Sequence, residues 1–331
     1  MPNTSGPAVV VYGTGAIGGV IAARLRLAGV EVTAVARGEH LRAIRAGGLK
    51  LVTQAGADAV ALQAAGDASE VDWKTEPIVV LAVKSHQTAA ALDDLAAHAP
   101  LQTPIFVAQN GVANESAVLR RFANVYGVAV LVSAAHLEPG VVIQQSHPVA
   151  GILDLGRYPA GRDEVAESTA ASFRAAQFIS EVRDDIPAWK HRKLIANLGN
   201  GVTAAVQPGP DADELVARAR IEAERILTIA GIPFISAERD SQRRSTFRHG
   251  KVRDDYFGST WQSVARGHAD VETDWFNGEI VLQARLHSQT APVNELIQRI
   301  TAEHARLGRA PRSLDPTTIL AQLAESDSVA T

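Results

Sequence analysis

Val9-Val10-Val11-Tyr12-Gly13-Thr14-Gly15-Ala16-Ile17-Gly18-Gly19 is the stretch that decides the fold of this chain. Ala8–Tyr12 is an uninterrupted apolar run, the pattern of a strand buried on both faces of a parallel sheet. Gly13 to Gly18 then fits G-x-G-x-x-G, and a small-residue helix, Val20–Leu27, is expected to follow. In such a turn the first glycine allows the tight bend and the second lets the backbone approach a pyrophosphate. The third lets helix and strand pack closely. Unpaired N–H groups and the partial positive charge of the helix N-terminus then face the phosphates. Alone the motif is weak. Between a buried strand and a helix it predicts a dinucleotide site built by Gly13, Thr14, Gly15, Ala16, Ile17 and Gly18.

The pattern repeats outward from there. Val30–Ala36 reads as a second strand, ending at Arg37 and leading into an amphipathic segment, His40–Ala46. Ile78–Val83 and Ile105–Ala108 read as further buried strands, each followed by a helical pattern. Alternation of this kind predicts βαβ units and a doubly wound sheet. The tip of the second strand bears on the cofactor. NAD-binding proteins usually place an acid there for the ribose hydroxyls. Val35-Ala36-Arg37 offers instead an arginine, whose fork matches a 2′-phosphate, so the expected cofactor is NADP(H). Glu39 is better placed to open the next helix.

Val125–Val132, Val141–Gln145 and Gly151–Leu155 read as strands that extend or flank the sheet, broken by turns at Pro139-Gly140 and near Pro148. Beyond Ile186 strand signals vanish. Ile186–Val206, Asp211–Ala230, Ala269–Leu286 and Val293–Leu307 carry helical periodicity, with Asp211 and Asp213 placed as N-cap and first-turn acid. The predicted architecture is an α/β Rossmann dinucleotide-binding domain over residues 1–185, followed by an all-α C-terminal domain over residues 186–331.

Composition narrows the function classes. The chain has 331 residues, 46% apolar and 21% charged, which suits two ordinary globular cores. Cysteine is absent, so disulfides, thiolate metal sites and thiol nucleophiles are excluded, and no metal is expected. A net charge of −4 argues against a nucleic-acid partner. Apolar stretches such as Val125–Ala135 fall short of the ~18–20 residues of a membrane helix. The N-terminus lacks a basic n-region, which makes a cytoplasmic location the default expectation.

In a doubly wound sheet, ligands bind beyond the carboxyl ends of the strands. Lys84-Ser85-His86-Gln87 and Gln109-Asn110-Gly111 should arrive there. Lys84 follows a buried strand directly, which favours a site role; His86 reads better as a loop or helix-start residue. In the first helix of the second domain, Lys193, Asn197 and Asn200 fall within an arc of about 60° at roughly 100° per residue. An ammonium group there could protonate a carbonyl oxygen as hydride arrives at carbon, and the amides could hold a substrate. Lys190 lies near the same arc, so spacing does not choose between the two lysines.

With these motifs in order, the chain resembles the ketopantoate reductase family from about Val9 to Leu307. The cofactor-side matches are Gly13 to Gly19, Ala36-Arg37-Gly38, Val83-Lys84 and Gln109-Asn110-Gly111. In the helical half they are Lys193-Leu194 with Asn197, Ser259-Thr260, and Glu272-Thr273-Asp274-Trp275-Phe276-Asn277-Gly278. The resemblance implies that Lys193, not Lys190, is the catalytic lysine and that Glu272 helps orient the reacting groups. It implies that Ser259, or Thr260 on a shift of one residue, binds the substrate carboxylate. Asn110 and Asn197 match substrate- and cofactor-side amides, and Lys84 and Arg37 match cofactor contacts. The implied activity is NADPH-dependent reduction of a small 2-oxo acid, ketopantoate to pantoate in pantothenate biosynthesis being the family-typical case. A homodimer is compatible with it. The alternatives are a same-scaffold reductase of another 2-oxo acid or an imine, and a non-catalytic NADP-binding sensor. One departure touches the substrate side. The family's second helix amide commonly follows the lysine by eight residues and precedes proline, whereas Asn200 comes at seven and precedes Gly201.

Overall fold

The computed structural model describes residues 7–247, 258–267 and 269–329, without the side chains of Ser259 and of residues 324–329. By contact density the chain forms two compact units. The first unit contains β1 (Val9–Tyr12), α1 (Ala16–Leu27), β2 (Val32–Val35), α2 (Gly38–Gly47), β3 (Leu49–Thr53), β4 (Gly56–Val60) and β5 (Gln63–Ala65). It continues with β6 (Ile78–Leu81), α3 (Thr88–His98), β7 (Ile105–Val107), α4 (Asn114–Leu119), β8 (Val125–Leu131), β9 (Ala134–Ala135) and β10 (Val141–Gln144). It closes with β11 (Gly151–Arg157), α5 (Glu164–Ala175), β12 (Phe178–Ile179) and the start of α6 (Ile186–Asn197), up to Lys190. The second unit begins at His191 and contains the rest of α6, then α7 (Asn200–Ala205) and α8 (Pro210–Ile229). Helix α9 (Ala237–Ser245) belongs to the first unit, and α10 (Ser259–Ala265), α11 (Asn277–Leu286), α12 (Pro292–Arg306) and α13 (Pro316–Val329) belong to the second.

The main sheet has the order β12-β11-β8-β7-β6-β1-β2-β5. From β5 to β8 every pairing is parallel. With β5 counted third and β6 fourth, this is the 3-2-1-4-5-6 order of a dinucleotide-binding sheet, with its switch point between β1 and β6. Strands β1, β6 and β7 are buried along their whole length, because helices cover both faces. The fold class read from the sequence is therefore the fold observed.

The later strands divide between two sheets. β8 and β11 extend the main sheet as an antiparallel pair, whereas β10 joins a second sheet of order β4-β3-β10-β9. This small sheet packs on α1: a Cβ on Gly19 would lie 2.5 Å from the Val142 methyl, so only glycine fits there. Helix α9 docks through Arg243, whose Nε donates to the buried Asp154 at 2.9 Å, alongside Arg183 at 3.0 Å. Arg239 lies 5.4 Å from the Trp189 ring centroid in the same unit.

In the second unit, buried Glu222 on α8 accepts from the backbone N–H groups of Val293 and Asn294 at 3.1 and 2.9 Å, capping α12. Asn294 accepts from Asn277 at 3.0 Å, and Asn277 also donates to the Leu198 carbonyl at 3.2 Å. This buried chain of satisfied amides fixes α8, α11 and α12 against the turn after α6.

Three sequence expectations change here. The helix expected over Ile186–Val206 breaks at Leu198-Gly199, where Gly199 lies so close to α8 that a Cβ would meet Val216 at 2.9 Å. The helix expected over Ala269–Leu286 is a 3-10 turn, Glu272–Trp275, then α11, with Phe276 (φ −112°, ψ −86°) at the break. The N-cap of α8 is Gly209 with Pro210 at the first helical position, so Asp211 and Asp213 are both first-turn acids. Among the described residues no helix is long and apolar enough to cross a membrane.

Candidate active site

The glycine-rich turn sits at the switch point of the sheet. Gly13 has φ +98°, and a Cβ there would lie 2.6 Å from Val83 Cγ1 and 2.8 Å from its backbone nitrogen. The chain leaving β6 occupies the space a side chain would need. A Cβ on Gly18 would strike the Gly13 carbonyl oxygen, which is why the third glycine of the motif is required. Beside Gly15 the position of a Cβ has no atom within 4 Å. Gly15 is the N-cap of α1, whose first turn carries no acid, so the open flank leads to a helix end suited to an anion. Thr14 is buried, its hydroxyl donating to the Val35 carbonyl at 2.9 Å, which ties the turn to the tip of β2. Ala16 and Ile17 open the helix.

Arg37 stands exposed at the end of β2, at the N-cap position of α2. Glu39 lies in the first turn of that helix and pairs with Arg42, so this acid is directed along the helix surface. The Tyr12 hydroxyl donates to Asp94 at 2.5 Å, and burial and the Asp94 bond both push its ionisation far above the ordinary range. Tyr12 is thus a fixed hydrogen-bonded floor beside Arg37.

The loops after β6 and β7 are joined by a buried polar network. Gln109 Nε2 donates to the Val83 carbonyl and to Thr88 Oγ1, both at 2.9 Å. Thr88 donates to Asn114 Oδ1 at 3.0 Å, and Asn114 Nδ2 donates to Ser85 Oγ at 3.2 Å and the Asn110 carbonyl at 3.5 Å. Lys84 is half-buried at the start of the 3-10 turn Ser85–Gln87, and His86 is exposed within that turn. Asn110 is half-buried, just before Gly111 at φ +81°. The sequence picked out Lys84 and the Gln109-Asn110-Gly111 segment but not Thr88 or Asn114, which help hold the loops; a buried threonine and an amide give no periodic signal.

The substrate-side candidates lie in the second unit. Lys193 is half-buried and Asn197 buried on α6. Asn200 does not continue their stripe: after the break at Leu198-Gly199 it is the first residue of α7. Its side-chain oxygen lies 3.9 Å from where a Cβ would stand on Gly258, the N-cap of α10, so it faces the start of that helix. Thr260 is buried in the first turn of α10; Ser259 opens that helix, and its side chain lies outside the described residues. Glu272 is buried in its 3-10 turn beside Thr273. Lys190, the other lysine of α6, belongs to the first unit and forms an ion pair with Glu115.

A Rossmann unit with an open glycine-rich turn, joined to a helical unit bearing a lysine, amides and a buried glutamate, defines a class of two-domain oxidoreductases. Within that class the chain belongs to the ketopantoate reductase family. Residues 9–159 match ketopantoate reductase PanE/ApbA and residues 185–305 match its C-terminal part. It is 29% identical to the 2-dehydropantoate 2-reductase of Pyrococcus horikoshii over 91% of this chain and 98% of that one. A PanE/ApbA family ketopantoate reductase from Ralstonia eutropha superposes with a TM-score of 0.76 at 25% identity, covering 91% of this chain and 99% of that one. D-mandelate dehydrogenase, solved with NADH and anilino(oxo)acetate, shares the fold with a TM-score of 0.79 at 19% identity, over 92% of this chain and 99% of that one.

Proposed function

We propose that the chain reduces a small 2-oxo acid to its 2-hydroxy acid with NADPH, ketopantoate to pantoate being the first case to test. The observation that carries this reading is the pairing of an open glycine-rich turn at the switch point with a family-matching lysine, Lys193, on α6. Residues 1–185 are read as the cofactor domain and residues 186–331 as the substrate domain, with the start of α6 up to Lys190 and α9 packing in the first unit. Bound NADPH supplies the hydride. Gly13 to Gly18 receive its pyrophosphate on the backbone N–H groups of the α1 terminus, with Arg37 on the 2′-phosphate and Lys84 and Asn110 along the rest of the dinucleotide. Lys193 donates the proton to the carbonyl oxygen, and Glu272 orients the reacting groups. Ser259 or Thr260 takes the substrate carboxylate, with Asn197 and Asn200 on the body of the substrate. The reading carries with it a cytoplasmic enzyme acting on a diffusible small molecule, for which a homodimer is admissible.

A second substrate class is favoured by one observation. Asn200 opens α7 and is followed by Gly201, where a Cβ would strike the Thr301 hydroxyl, so this wall differs from the family's amide–proline pattern. A bulkier 2-oxo acid or an imine would meet that difference directly. The test is a panel of 2-oxo acids and imines with NADPH and NADH, read as nicotinamide absorbance. Turnover of ketopantoate above the rest supports the first reading, and a different preferred acid or imine the second. NADPH binding without turnover of any member overturns both in favour of a sensor.

A further inference from the structure

Lys190 and Glu115 form an ion pair in the interior of the first unit, with 5% and 1% of their surfaces exposed. The Lys190 ammonium also donates to the carbonyls of Gln109 at 3.0 Å and Val107 at 3.4 Å, so its three protons are all committed. Among the described residues no hydrogen-bond donor other than this ammonium reaches the Glu115 carboxylate. The side chain passes over β8 at Gly127, where a Cβ would sit 3.4 Å from Lys190 Cδ and 3.3 Å from Ile186.

Burying two charges costs several kcal/mol per ion, and apolar side chains of equal volume commonly serve a core as well or better. Stability is therefore a poor reason for this pair. What apolar residues cannot do is donate to carbonyls. The two carbonyls held here end β7 and immediately precede Asn110. Across the loop, Gln109 and Asn114 bind the same segment from the side of β6 and α3. Lys190 supplies the opposing hold.

We infer that Lys190, neutralised by Glu115, is a positioning residue that sets how the β7 loop presents Asn110 to the reacting end of the cofactor. This rests on the reading of Asn110 as a cofactor- and substrate-side amide. The pair acts on the backbone of Gln109, and neither member touches substrate.

The test uses the full chain and the best acid of the substrate panel. Lys190→Met with Glu115→Leu removes both charges together and roughly keeps the volume, so no buried charge is left unpaired and the chain should still fold, with a melting temperature lowered only by the two lost carbonyl hydrogen bonds. The kcat should fall by at least ~10-fold, because a small misplacement near the chemistry is costly. The NADPH Kd should change by less than ~3-fold, since the glycine-rich turn and Arg37 are untouched. Added to Asn110→Ala, the pair substitution should cost little more, as coupled residues are non-additive. If the apolar pair does not fold, Lys190→Met with Glu115→Gln makes the same comparison with a smaller packing change. A folded pair variant with parental kcat, or one that loses as much again in the Asn110→Ala background, overturns the assignment. Failure of the underlying reading shows in the parent instead, as no turnover of any acid, and removes the assignment with it.

Discussion

His40 accepts the backbone N–H of Gly140 on Nδ1 at 2.8 Å, and that bond fixes what its other ring nitrogen does. Nε2 must carry the proton and donate to the Thr14 carbonyl, 2.6 Å away, so a neutral imidazole links the glycine-rich turn to the small sheet. The His136 ring lies 4.2 Å from it.

A pH dependence follows from this bond. Burial first, and then His136, push the His40 ionisation below its ordinary 6.5, while the Thr14 carbonyl pulls weakly the other way. Above pH 6.5 the ring is neutral in folded and unfolded chains alike, and its contribution is fully present. As pH falls below 6.5 the unfolded chain takes the proton first, and stability is lost until the folded pKa is passed. Thermal melts from pH 8 to pH 5 should show the loss below pH 6.5. His40→Gln should flatten the curve without abolishing the slope, because buried His304 is shifted in the same direction. A variant with the parental pH dependence would refute the role of His40.

The glycine-rich turn separates stability from binding. Gly13→Ala forces a β-carbon at φ +98° into Val83 and should cost roughly 2–4 kcal/mol by chemical denaturation. Gly15→Ala meets nothing within 4 Å and has φ −77°, so stability should stay within about 0.5 kcal/mol. Its NADPH Kd should nevertheless rise at least ~10-fold, because the methyl occupies the backbone's line of approach to the pyrophosphate. Tight NADPH binding by Gly15→Ala, measured by fluorescence titration, would move the phosphates elsewhere.

The main sheet was legible because β1, β6 and β7 are buried on both faces and read as unbroken apolar runs. Strands β4 and β5 carried no such signal: Gly56–Val60 is almost wholly exposed and Gln63–Ala65 is short and small. The break of α6 at Leu198-Gly199 coincides with a close approach of α8, and the break at Phe276 accompanies the buried Asn277 amide bonding Asn294 and Leu198. Long-range packing of that kind leaves no local periodicity. Within the candidate site the glycines and Arg37 had a direct physical reading. The supporting residues Thr88 and Asn114, and the structural role of Gln109, did not, because hydrogen bonds across 21 or 26 residues define them.

In the proposed function, cofactor choice turns on Arg37. It is exposed at the tip of β2, and Glu39, the acid two residues on, is paired with Arg42. Arg37→Ala should raise the NADPH Kd at least ~10-fold while leaving that of NADH within about 3-fold, since only the former carries a 2′-phosphate. Parallel titrations with both nucleotides check this. Equal weakening of the two would assign Arg37 to a shared part of the dinucleotide.

The two lysines of α6 should respond differently. Lys190 is spent on Glu115 and two backbone carbonyls, whereas Lys193 is the proton donor proposed above. Lys193 is half-buried, so Lys193→Ala should fold with a near-parental melting temperature. Its kcat for the preferred 2-oxo acid should fall by at least ~10²-fold, within the range for loss of a general acid. Lys193→Arg should not restore turnover, because a guanidinium keeps its proton throughout the working pH range. Single-turnover mixing of enzyme-bound NADPH with substrate isolates the hydride step from product release. Rapid nicotinamide oxidation in Lys193→Ala would take the lysine out of the chemistry and return the proton donor to another group.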